Sequence, residues 1–257
     1  MLRDRKVLIG ILGIVAVCII VGIIILIPKG KKYKETVFLG SNTRVTVKNG
    51  NISMSLDDVK VKKQNVKIYD SGKIVDGYVV TEKEDSTGLK NNLHAYTEDD
   101  KIILSDPALI AYTKDISLNI IPTNSEFVID LASMVKPILK SNIDISTVNP
   151  DYFIVNYLDV DSDGLEEKIY SMGLVYESTK YVSLVVMEKD NNYYQIIREQ
   201  TSSDEDEKVS YSFVELIDFN NDGNYEYIIN KNMGEGTPSI FEIYNFDGTT
   251  FNKLNVY

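Results

Sequence analysis

The sequence predicts a mainly β protein: an N-terminal transmembrane helix, a small β domain, one bridging helix, and two four-stranded antiparallel repeats, blade-like but too few to complete a propeller. Three observations lead there. An uncharged apolar run fills residues 7–28. Short period-two apolar runs separated by turn residues come next. A loop pattern of acids and glycine then occurs twice, 59 residues apart. The expected boundaries are 1–32 for a short tail and signal-anchor, 33–122 for the β domain, 123–149 for the bridging helix and linker, and 150–257 for the repeats.

Composition narrows the function classes. The chain has 257 residues, 44% hydrophobic and 25% charged, which is too apolar for a wholly disordered protein. One cysteine excludes an internal disulfide and any zinc site built on several thiolates. A single histidine, His94, leaves no pair for a catalytic metal. The net charge of −11 argues against a nucleic-acid partner, since such domains are normally basic.

The run Val7 to Pro28 contains no charge between Lys6 and Lys29. At ~1.5 Å per residue it reaches ~33 Å, enough for a hydrocarbon core of ~30 Å. The apolar region of a secretory signal is shorter, ~7–15 residues, and ends at a small-residue cleavage site. Here the exit is Ile-Pro-Lys-Gly-Lys-Lys, so the run reads as an uncleaved anchor. Cys18 inside it reads as a small lipid-facing residue. Both flanks are basic, and long domains are translocated largely regardless of flanking charge. The expected arrangement is a single pass through the cell membrane, with the C-terminal domain extracytoplasmic.

Between residues 33 and 149 there are 14 basic and 16 acidic residues. Arg44–Lys48 and Asn51–Met54 flank Asn49-Gly50, a pair that supplies the two positive φ values of a type I′ hairpin turn. Further strand runs are Val59–Val61, Val66–Tyr69, Ile74–Val80, Ile102–Leu104 and Ile116–Ile121. Residues 81–92 are polar and read as a loop. Thr123-Asn124-Ser125-Glu126 has the form of a capping box. Phe127, Leu131, Met134, Val135, Ile138 and Leu139 then recur at helical spacing, with Pro137 bending or ending the helix.

From residue 150 onward there are 7 basic and 21 acidic residues, and the repeat lies here. FIVNYLDVDSDGLEEKIY and FVELIDFNNDGNYEYII each place D-x-[DN]-x-D-G-x-x-E between apolar period-two runs. In the first loop Asp159, Asp161, Asp163, Glu167 and the carbonyl of Leu165 can converge. In the second the matching groups are Asp218, Asn220, Asp222, Glu226 and the carbonyl of Asn224. Hard oxygen ligands in this number suit Ca²⁺, which takes ~6–8 oxygens. Carboxylates ~4 Å apart repel by ~1 kcal/mol even in water, so four crowded together call for a cation. An EF-hand needs a Glu at loop position 12. Tyr170 and Ile229 stand there, and the acid falls at position 9.

These two loops resemble the calcium loops of FG-GAP/VCBS-type repeats, found in integrin-like β-propellers and bacterial surface proteins. The resemblance covers residues 151–257. It implies up to two structural Ca²⁺ ions, held by the ten residues just named, with no catalytic role. The expected function is a non-enzymatic, membrane-anchored binding or accessory protein. Its partners would be the membrane, through residues 7–28, and a protein or cell-envelope polymer. The alternatives are a carboxylate-based envelope hydrolase and a membrane-anchored sensor or regulator.

Overall fold

The computed structural model describes residues 33–57, 60–70, 72–83, 91–99, 102–105, 109–127, 149–204, 207–234 and 239–255. The expected transmembrane run lies outside these. Among the described residues no helix is long and apolar enough to cross a membrane. Lys32–Tyr257 form one compact unit built of three antiparallel sheets, with no closed barrel.

The first sheet contains β1 (Thr36–Leu39), β2 (Thr43–Lys48), β3 (Asn51–Leu56), β4 (Gln64–Asp70), β5 (Lys73–Lys83), β6 (Asn91–Thr97), β7 (Ile102–Ser105) and β8 (Ile110–Thr113). Its order is β3-β2-β1-β8-β4-β5-β6-β7. The β2–β3 hairpin turns on Asn49 (φ 52) and Gly50 (φ 77), the two positive values expected from the sequence. β1 and β8 were not legible as strands, because all four residues of each are buried and period-two alternation vanishes. Val61 lies outside any strand. It exchanges backbone and side-chain hydrogen bonds with Thr81 instead. β5 runs on to Lys83 and β6 begins at Asn91, so both ends of the expected polar loop belong to a hairpin.

β9 (Asn119–Ile121) and β10 (Asn124–Phe127) follow. This corrects the capping-box reading: residues 124–127 form a strand, paired with residues 154–157 of the first repeat. The open edge of that repeat takes up the backbone groups that a helix would have used. The body of the expected bridging helix, residues 128–148, lies outside the described residues.

The first repeat forms β11 (Asn149–Leu158), β12 (Glu167–Tyr176), β13 (Lys180–Lys189) and β14 (Asn192–Ser202). The second forms β15 (Ser210–Asp218), β16 (Glu226–Asn232), β17 (Ile240–Phe246) and β18 (Phe251–Lys253). Each has the four strands expected, and each gains a fifth. β10 extends the first-repeat sheet and β9 the second-repeat sheet, in the orders β10-β11-β12-β13-β14 and β18-β17-β16-β15-β9. One nine-residue stretch thus ties both repeats together.

The sheets stack in layers with the second repeat in the middle. Ile217, Phe219, Ile228, Phe241 and Ile243 pack on Val37, Leu39, Val45, Tyr69 and Tyr112 of the first sheet. From its other face Tyr211, Phe213, Leu216, Tyr227 and Ile229 pack on Leu158, Ile169, Val185 and Met187 of the first repeat. Leu158 and Ile169 match Ile217 and Ile228 at the 59-residue offset. Equivalent faces therefore point the same way, and the layers follow one another head to tail.

Candidate metal centre

The first loop joins β11 to β12, and the second joins β15 to β16. Their backbones match: Ser162 and Gly164 take φ of 61 and 87, and Asn221 and Gly223 take 56 and 87. The leading aspartate organises each turn. Asp159 accepts the amides of Asp163 (3.1 Å) and Gly164 (3.0 Å), and Asp218 accepts those of Asp222 (3.2 Å) and Gly223 (2.9 Å). Asp163 caps the Leu165 amide and Asp222 the Asn224 amide, both at 2.7 Å. Position 9 closes the loop: Glu167 accepts the Val160 amide and Glu226 that of Phe219.

Carboxylate oxygens of Asp159, Asp161 and Glu167 lie within 4.8 Å of one another. Asp163 points its Oδ1 back to the loop backbone. Leu165, expected to offer a carbonyl, has an exposed side chain.

Loop sequence alone gave no sign of Lys189. It ends β13, and its Nζ lies 2.5 Å from Asp161 Oδ2 and 2.7 Å from Glu167 Oε1. Burial opposes its charge, but the hydrogen bonds to Asp161 and Glu167 outweigh that and hold its pKa above the ordinary lysine value. The same contact holds the Asp161 carboxyl below the usual range. A side-chain ammonium therefore stands between two of the three acids whose oxygens are close enough together to hold a metal ion.

The second loop differs at both positions of that pair. Asn220 replaces Asp161. On β17, Asn245 pairs with Glu226 as Lys189, one step beyond the Lys168–Glu188 pair, faces Glu167. Among the described residues no ion pair reaches Asp218, Asp222 or Glu226. Burial, with the like charges of Asp222 and Asp218 adding to it, pushes the Glu226 carboxyl up to about 7. The backbone amide of Asn224 and the side chain of Asn220 hold Asp222 below the usual range. Asn245 Oδ1 is buried without a hydrogen-bond partner. Paired residues of antiparallel strands share a face, so the Asn245 and Glu226 side chains leave the sheet on the same side. The second loop thus offers three carboxylates, Asp218, Asp222 and the buried Glu226, although among the described residues only the first-loop acids gather within 4.8 Å of one another.

The second loop is also fastened to its neighbours. Asn220 Nδ2 donates to the Gly50 carbonyl (2.9 Å), at the tip of the β2–β3 hairpin, and Asn221 Nδ2 to that of Ser117 (2.8 Å). Asn119 on β9 donates to the Tyr225 hydroxyl. On its other side a shallow groove runs between Asp161 and Ser162 of the first loop and Asn224 and Tyr225 of the second.

Compared with known proteins, the chain matches no family model, no curated protein and no solved structure.

Proposed function

We propose that this chain is a membrane-anchored, extracytoplasmic binding or accessory protein whose stacked β layers are stiffened by calcium, without catalytic activity of its own. The observation that carries the reading is the placement of the second loop. Its acidic oxygens sit where the second repeat is bonded to the hairpin tip of the first sheet, so an ion there fixes a junction between layers. The apolar run 7–28 supplies the anchor, and the FG-GAP/VCBS-like loop pattern supplies the choice of Ca²⁺. An ectodomain site of this kind binds in the ~10⁻⁴–10⁻³ M range. The ion's role in this reading is structural, as the FG-GAP/VCBS-like loop pattern implies.

The test is thermal unfolding of the full chain in detergent against calcium. At ten times the Kd, binding adds about 1.4 kcal/mol. For a unit of this size that is a rise of roughly 3–6 °C. No rise at 10 mM Ca²⁺ removes the metal from the proposal. Alkaline carbonate extraction and protease accessibility of intact cells test the anchor and its orientation. Release by carbonate, or protection from external protease, overturns that part.

A further inference from the structure

We infer that the two loops have diverged into one metal site and one self-neutralised site: Lys189 is the resident cation of the first loop, so the chain takes a single divalent ion, at the second. This rests on the calcium reading above and departs from the two-ion stoichiometry that the loop pattern implies.

The argument is one of charge and geometry. The side-chain ligand sets carry formal charges of −4 in the first loop (Asp159, Asp161, Asp163, Glu167) and −3 in the second (Asp218, Asp222, Glu226). Lys189 cancels the difference. Its Nζ contacts both Asp161 and Glu167, and its side chain is only 19% exposed. It is thus a packed element of the loop and not a solvent-borne lysine passing by. Glu167 has one oxygen on the Val160 amide and the other on Lys189, so both are engaged without metal. A divalent ion entering the first loop must displace a partly buried ammonium from two carboxylates at once. Giving up two charge-assisted hydrogen bonds at once works against a site whose affinity is only of the weak extracellular type. In the second loop both members of the pair are neutral, Asn220 and Asn245, and nothing has to leave. The substitution is paired: an acid with its lysine in one repeat, two amides at the same places in the other.

The experiment counts ions. Equilibrium dialysis of the full chain in detergent against ⁴⁵Ca²⁺, carried to saturation, should give one ion per chain. The double variant Asp161→Asn with Lys189→Asn gives the first loop the second loop's own residues, removes one charge of each sign, and should bind two. Asn245→Lys should bind none. Circular dichroism without metal verifies that each variant is folded, and Lys189→Met serves as a second route to an opened first loop should the double variant fail. Two ions in the wild type overturns the inference while sparing the calcium reading. So does one ion retained in Asn245→Lys, or one ion only in both opened variants. No ion in the wild type or in any opened variant overturns the calcium reading and this inference with it.

Discussion

Tyr69, on β4 of the first sheet, and Glu215, on β15 of the second repeat, face each other across the interface between the two layers closely enough that each shifts the other's titration. Glu215 is 5% exposed and follows the bulge at Phe213/Glu215, which turns its side chain inward among apolar neighbours. Burial pushes its carboxyl up to about 7, against the smaller opposing effects of the Leu216 amide, Tyr69 and Thr123. The sign of the consequence follows. Below about pH 4.5 the group is protonated folded or unfolded, and its contribution is fully present. As pH rises through 4.5 towards 7, only the unfolded chain ionises, and stability is lost progressively. Above 7 the fold carries a buried charge worth on the order of 3 kcal/mol. Glu215→Gln should therefore match the wild type in Tm near pH 4.5 and exceed it by several degrees at pH 8. A difference that stays flat from pH 4.5 to 8 contradicts the assignment.

Two buried serines close a gap left by the short β9. That strand covers only Leu216–Asp218 of β15, so the earlier amides of β15 need other acceptors. Tyr211 N–H donates to Ser183 Oγ (2.8 Å) and Phe213 N–H to Ser171 Oγ (2.9 Å), both serines being fully buried on the neighbouring sheet. Ser171→Ala should lower the unfolding free energy by about 1–3 kcal/mol, the cost of an orphaned buried amide. The half-buried Ser203→Ala, which loses only a solvent-exposed hydrogen bond to the Ser178 carbonyl, should stay within roughly 0.5 kcal/mol. Urea titrations with unchanged m-values measure both, and equal effects would refute this account of the junction.

Glycine positions separate strain from crowding. A Cβ on Gly77 would sit 2.1 Å from the Tyr96 carbonyl oxygen and 2.7 Å from Ile68 Cδ1, so β5 and β6 would have to part. A Cβ on Gly50 meets nothing within 4 Å, but the residue holds φ at +77. Gly77→Ala is expected to cost about 3 kcal/mol or more, or to prevent folding, and Gly50→Ala about 1–2 kcal/mol. Thermal unfolding of the two variants side by side decides it, and the reverse ranking would be inconsistent with this packing.

What the sequence revealed follows from which interactions are local. The type I′ hairpin, the repeat strands and the backbone of both loops were legible because Asn-Gly, alternation and D-x-[DN]-x-D-G act over a few residues. β9 and β10 were less so. Thr123–Glu126 satisfies the spacing of a capping box, yet the edge of β11 takes that backbone into a sheet. Ile120 pairs with Ile217 from almost a hundred residues away, and no local pattern encodes that choice. Lys189 lies 22 residues after Glu167 and reaches it only because β12 and β13 are in the register they adopt. The equivalence of β13 and β17 was visible in the repeat.

The same comparison yields a test by transplantation. Asn220 Nδ2 donates to the Gly50 carbonyl and to Asp222 Oδ2, both at 2.9 Å. Asn220→Asp removes both donations and sets a carboxylate ~3 Å from that of Asp222, where like charges repel by ~1 kcal/mol or more. Without metal the variant should unfold roughly 3–8 °C below the wild type, and millimolar Ca²⁺ should return most of the loss. Adding Asn245→Lys rebuilds in the second repeat the Asp161–Lys189 pair of the first. Its ammonium lies opposite Glu226 and within the strand pair that positions Lys189, so the charge added at 220 gains a resident counter-ion. The double variant should recover its Tm in EDTA and lose its response to calcium. If it remains as unstable as Asn220→Asp alone, or still gains stability from Ca²⁺, then Lys189 does not stand in for an ion.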